Sequence, residues 1–322
     1  MIQTIFLHVG PPKTGSTTLQ LELIERESAL LEVGFLYPQT GRLRVGESLY
    51  IERSGGVNLE TGPSKFHNLI TWSLQNKIRT ANHGYHDILD QLRRELVNSS
   101  AHTAIVSGEG LYHLDQLQLN KVKEALAGIK VKIVFYYRDP VSRAKSMYSQ
   151  AVRKGKTVLN FKDYVSKRYI HNLRYHRDKI AILTSTFGGE NMIVKDLARV
   201  SSTLGLVQDF FSTVGFRDVV PSVPRSAKNT SLSPAVLSNI LRLNRVEKAI
   251  FGDSQLRFVK GLCARMTSGG ILSRLPSGAT EPALFNAGLS YLRQYVAEHG
   301  YASEFKLVST SPTPSNVYNV QS

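Results

Sequence analysis

The sequence predicts an α/β fold of three layers, a central parallel β-sheet flanked by helices, with a phosphate-binding turn after its first strand. Three observations lead there. Short β-branched and apolar runs alternate with stretches of helical periodicity along most of the chain. The first strand-helix pair is joined by a glycine-bearing turn, "VGPPKTGSTT". The most strongly strand-like run, "VKIVFYY", leads through Arg138 into Asp139 and Pro140, an N-cap and a first-turn residue for the next helix.

Taken in order, Thr4 to Val9 reads as a strand, and "STTLQLELIERESALLEVG" as a helix with Leu19, Leu23 and Leu30 on one face and Gly34 at its end. "GFLYP" is a short strand. Arg42 to Ser64 is glycine-rich and polar, and is expected to be a loop or flexible insertion. Ile88 to Val97 reads as an amphipathic helix, "HTAIVS" as a buried strand and Leu117 to Ala127 as a helix. After "VKIVFYY" comes a helix from Pro140 to about Arg153, then "NMIVKDL" as a strand and "SSTLGLVQDFFSTVGF" as a capped helix ending at Gly215. "SPAVLSNILRLNRVEKAI" continues as a helix from Pro234. The expected organisation is a single domain over residues 1–307 whose C-terminal portion, from about 230, is helical, with a flexible Pro/Ser-rich tail at 308–322.

Composition narrows the partners. A chain of 322 residues that is 42% hydrophobic and 20% charged has the makings of a globular protein with a sizeable core. Forty Lys+Arg against 25 Asp+Glu give a net charge of +15, which favours an anionic partner without choosing one. A lone cysteine, Cys263, excludes an internal disulfide and a thiolate metal cluster. With no signal-like N-terminus and no apolar run of about 20 residues, the expectation is a cytoplasmic protein without a transmembrane segment.

The turn carries the chemistry. Gly10 and Gly15 have the spacing of the glycines in G-x-x-x-x-G-K-[ST], yet Ser16 stands at the lysine position and Lys13 lies inside the loop. Backbone N–H groups at such a turn point along the positive end of the helix dipole and hold an anion. A magnesium-nucleotide site would need a strand-end aspartate. The two later strand ends instead offer Glu109 in "AIVSGEG" and Arg138 ahead of Asp139.

With these residues in view, "PPKTGSTT" resembles the 5′-phosphosulfate loop of sulfotransferases that use 3′-phosphoadenosine 5′-phosphosulfate (PAPS), in their bacterial-type, P-loop-like form. The family's second motif is an arginine after a hydrophobic strand and a serine eight positions on, both on the cofactor's 3′-phosphate. "YYRDPVSRAKS" matches it with Arg138 and Ser146. The resemblance implies cofactor contacts from Pro12, Lys13, Thr14, Gly15, Ser16, Thr17 and Thr18 together with Arg138 and Ser146. Ser142, on the same helix face as Ser146, is a substitute. Arg225 and Lys228, in "RSAKNTSLSP", are weaker cofactor candidates by a looser match.

By the same resemblance Lys13 neutralises charge on the leaving oxygen, and a base lies after a neighbouring strand. Glu109 is the candidate base and His113 the reserve. The family's reaction needs no metal, and it yields 3′,5′-adenosine bisphosphate (PAP). A hydroxyl on a carbohydrate, lipid or small metabolite is the expected acceptor. Thr18 stands where small-phenol enzymes of the family carry an aromatic residue, which argues against a phenol or steroid. Two alternatives stay open, an ATP-dependent kinase with an aberrant loop and a basic nucleic-acid-binding protein. Only the net charge suggests the second, so no nucleic-acid partner is expected. "NHGYHD", with His83, His86 and Asp87, is read as a polar turn in place of a metal site, and the basic run from Arg143 to Lys156 mostly as a solvated helix face.

Overall fold

Buried, β-branched runs become the five strands of a parallel sheet: β1 (Thr4–His8), β2 (Phe35–Leu36), β5 (Thr103–Ser107), β6 (Lys130–Tyr137) and β7 (Met192–Asp196), in the order β2-β5-β1-β6-β7. The computed structural model describes residues 1–53, 56–79, 87–216, 234–251 and 280–300. They fall into two compact units, one drawn from 1–138 and 176–216, the other from 139–175 and 234–300.

In the first unit, alternation along each strand sends neighbouring side chains to opposite faces, and both faces are buried. Ile105, Val134 and Tyr136 pack with Leu19, Leu23, Phe210 and Phe211 on one side. Ala104, Val106, Ile133 and Phe135 pack with Leu92, Leu96, Leu119 and Val122 on the other. Helices α1 (Ser16–Glu25), α2 (Glu27–Glu32) and α10 (Leu206–Val214) supply the first layer, while α4 (Ile88–Asn98) and α5 (Gln116–Ala125) supply the second. The predicted three-layer α/β architecture is what forms.

Three elements differ from expectation. The helix expected to reach Gly34 breaks at Arg26, whose φ of −107° leaves the helical range. Its side chain pairs with Glu22 at 3.2 Å and lies over the Phe211 ring. The helix expected from Ser201 starts at Leu206, because Gly205 turns through a φ of 80° and closes a short α9 (Leu197–Ser202). The expected loop at 42–64 holds an antiparallel hairpin of β3 (Ser48–Arg53) and β4 (Gly56–Thr61). Leu49 and Ile51 point into the core and Tyr50 points out, an alternation that the surrounding glycines and polar residues obscure. Beyond the hairpin comes a further helix that the sequence did not announce, α3 (Asn68–Leu74).

The second unit is helical. Helix α6 (Pro140–Arg153) begins where predicted, and the Asp139 carboxylate accepts from the N–H groups of Val141 and Ser142 at 3.0 and 2.8 Å. A short α7 (Phe161–Tyr164) runs through a π turn into α8 (Ile170–Phe187), whose residues from His176 on belong to the first unit, and α11 (Pro234–Phe251) and α12 (Thr280–Glu298) complete the described residues. Tyr148, Val152, Phe161, Tyr169, Ile240 and Leu292 form their common core. The expected tail at 308–322 lies outside the described residues.

If the hairpin is a folded part of the first unit, Ile51→Ala should cost about 2–4 kcal/mol in urea unfolding, while the half-exposed Tyr50→Ala should cost under about 1 kcal/mol. Equal, negligible costs would show that 42–64 packs on nothing.

Candidate active site

The turn out of β1 is built from unusual backbone. Lys13 has a φ of 79° and Gly15 a φ of 83°, both in the left-handed region. Holding a non-glycine residue there costs roughly 1–2 kcal/mol, so the surroundings must enforce it. Two hydrogen bonds do. Thr14 Oγ1 donates to the Pro11 carbonyl at 2.9 Å, folding the loop on itself. The Arg138 guanidinium, arriving from the end of β6, donates to the Lys13 carbonyl at 3.0 Å. Gly15 is the N-cap of α1, and a Cβ there would collide with the side chain of Leu206 as well as strain the backbone. The N–H groups of Ser16 and Thr17 belong to the first turn of α1, where a helix leaves donors that can hold an anion.

Sheet order gathers the rest. Because β5 and β6 flank β1, with His8 opposite Ser107 on one side and Val134 on the other, Glu109 and Arg138 emerge beside the loop at the C-terminal ends of adjacent strands. This is the edge at which open α/β sheets bind ligands. The Ser16 hydroxyl donates to Glu109 Oε1, joining the loop to the one-turn 3₁₀ helix Glu109–His113 after β5. His113 closes that turn. Burial is the main cause lowering its pKa, with Lys179 and Lys77 adding to the effect. Glu109, the predicted base, is hydrogen-bonded to the loop.

Beneath the loop lies a buried polar layer that sequence reasoning missed. His8 Nδ1 meets Ser107 Oγ at 2.8 Å, and Gln20 Nε2 donates to the same oxygen at 3.1 Å, tying β1, β5 and α1 together. His67 Nε2 donates to the Pro38 carbonyl at 3.0 Å, and its Nδ1 accepts from the Ser107 N–H at 3.2 Å, a neutral tautomer assigned from the network. Burial lowers both imidazoles to a pKa of about 4, aided at His67 by Arg42. Each contact joins residues 29 or more positions apart, so no local pattern signals it.

The remaining candidates sort by exposure. Thr14 is fully buried and faces into its own loop, whereas Thr17 and Thr18 are exposed and Pro12 and Lys13 half-buried. In the second unit, α6 carries Ser146 half-buried and Ser142 exposed. Arg143 departs from the solvated helix face expected of the basic run. It is buried, with its guanidinium 5.7 Å from the centre of the Tyr169 ring. Burial pushes the Tyr169 phenol up to about 12 against the opposing pull of Arg143. Arg225, Lys228, His83, His86 and Cys263 lie outside the described residues. Among the described residues no group of three or more His, Cys, Asp or Glu is gathered to hold a metal ion, and no helix is long and apolar enough to cross a membrane.

No protein-family model matches the chain, and no curated protein matches it. Among solved structures, it is similar to a sulfotransferase from Alicyclobacillus acidocaldarius, at 18% identity and a TM-score of 0.40 over 80% of this chain and 100% of that one. It is also similar to a sulfotransferase domain from the curacin biosynthetic pathway, at 15% identity and a TM-score of 0.39 over 83% of this chain and 98% of the other. Likeness this distant carries no argument about activity, which has to come from the site.

The two buried histidines set an acid limit on stability. In the unfolded chain each takes up a proton near pH 6.5 but in the folded chain only near 4, so the unfolded state holds more protons in that interval. Stability should fall as pH is lowered from about 6.5 to about 4, read as a declining urea midpoint, with a shallower decline in His67→Gln. A flat midpoint across that range would contradict the buried, neutral assignment.

Proposed function

We propose that the chain is a PAPS-dependent sulfotransferase acting on an acceptor hydroxyl. The observation that carries this reading is the convergence of the Lys13 loop, Glu109 and Arg138 at the C-terminal ends of three adjacent strands. A donor with anionic groups at both ends calls for two anion sites: the loop with its helix N-terminus offers donors for one, and the Arg138 guanidinium offers a fork of donors for the other. The nucleotide supplies an activated sulfuryl group. In transfer, the bond from sulfur to the bridging oxygen of the 5′-phosphate breaks while a bond from sulfur to the acceptor oxygen forms, and the acceptor proton leaves.

The residues divide the work. The N–H groups of Ser16 and Thr17 hold the 5′-phosphate, and Lys13 offsets the charge that grows on the departing oxygen. Arg138 does two things: it binds the 3′-phosphate and, through the Lys13 carbonyl, holds the loop in its left-handed shape. Glu109 takes the acceptor proton. A carbohydrate, lipid or small metabolite is the acceptor class favoured, with Thr18 in place of an aromatic wall.

One observation favours a second reading. A loop hydroxyl paired with a strand-end carboxylate, as in Ser16 and Glu109, is also how a phosphate-loop kinase arranges a magnesium site. Against it stands the lysine's place ahead of Gly15. Calorimetry separates the two: PAP should bind without metal, and Arg138→Ala should weaken it by tenfold or more, on the order expected for a charge-assisted contact. Binding of magnesium-ATP alone would favour the kinase. Lys13→Ala should leave the circular dichroism spectrum unchanged and lower transfer of ³⁵S from labelled PAPS by about 10²-fold or more. Full activity in that variant would remove Lys13 from the mechanism.

A further inference from the structure

The Ser16 hydroxyl is claimed twice. It donates to the Glu109 carboxylate, yet on the sulfotransferase reading it lies in the loop that must hold the cofactor's 5′-phosphate. A serine has one O–H, so it can donate to the carboxylate or to the phosphate but not to both. Ser16 is only 1% exposed and opens the first turn of α1, so any change of partner by its hydroxyl takes place where the residue stands.

Resting on that reading of the site, we propose that Ser16 is a positioning residue that exchanges Glu109 for the nucleotide: without nucleotide its hydroxyl restrains the base, and nucleotide binding takes that hydroxyl and releases the carboxylate. Charge and geometry give this exchange two consequences. Glu109 competes with the incoming anion, because it occupies a donor and places a negative charge at the mouth of the loop. Its oxygens become available to an acceptor proton only when the loop is loaded, so base and sulfuryl donor are made ready together. Gly110, next to Glu109, packs so tightly that a Cβ there would lie 2.5 Å from Thr71 Oγ1, which keeps the turn's backbone in place and leaves the exchange to the Glu109 side chain.

The test is a double-mutant cycle on the full-length chain, with PAP as probe and no metal. Glu109→Ala should bind PAP about tenfold more tightly than the wild type, the size expected for removing a charged competitor from one hydrogen bond. In a Ser16→Ala background the same change should have an effect several-fold smaller, since no hydroxyl is left to exchange. Ser16→Thr, which keeps the hydroxyl, should restore the coupling, and Glu109→Gln gives a second reading should Glu109→Ala fold poorly. Wild-type binding with no tightening in either Glu109 variant, or tightening that is undiminished without the Ser16 hydroxyl, overturns the exchange alone. Absence of wild-type PAP binding overturns the sulfotransferase reading and the exchange with it.

Discussion

A left-handed backbone at Lys13 is the constraint on which the site depends. With Lys13 in an extended or right-handed conformation the chain would take a different path from β1 into α1. The Arg138 hydrogen bond to the Lys13 carbonyl holds that conformation from a residue 125 positions away. The loop is thus fixed by the sheet, since Arg138 reaches it only because β6 lies next to β1. Gly15 completes the turn at a φ of 83°, where a side chain would be strained and would displace Leu206.

The parallel sheet acts as an alignment device. Strands β5, β1 and β6 run in register, so their ends deliver a carboxylate, the Lys13 loop and a guanidinium to one edge. The polar layer of His8, Ser107, Gln20 and His67 lies directly below and is neutral, which keeps extra charge away from the loop while cross-linking the elements that present it. Ser16 and Glu109 then form a hydrogen bond between the loop after β1 and the carboxylate after β5.

Much of this was legible in the sequence because local rules governed it. The strand and helix of β6 and α6 were readable to the residue at Pro140, where Asp139 and Pro140 agree on cap and first turn. Lys13, Glu109 and Arg138 were readable as strand-end residues once the strands were placed. What escaped notice was set by tertiary context. The hairpin at 48–61 is made by Leu49 and Ile51 finding a core, which its glycines and polar neighbours mask. Arg143 looked like a surface base because nothing local announces Tyr169 as its partner. The Ser16–Glu109 contact joins residues 93 apart, and no local pattern in either stretch signals it.

The most direct test of the central claim is a ¹H–¹⁵N correlation spectrum of the full-length protein titrated with PAP in the absence of metal. The expected result is that the amides of Lys13 to Thr17 and the Arg138 side chain show the largest shifts, because the left-handed loop presents those groups to the nucleotide. Shifts elsewhere with these signals unmoved, or movement only with magnesium-ATP, would contradict it.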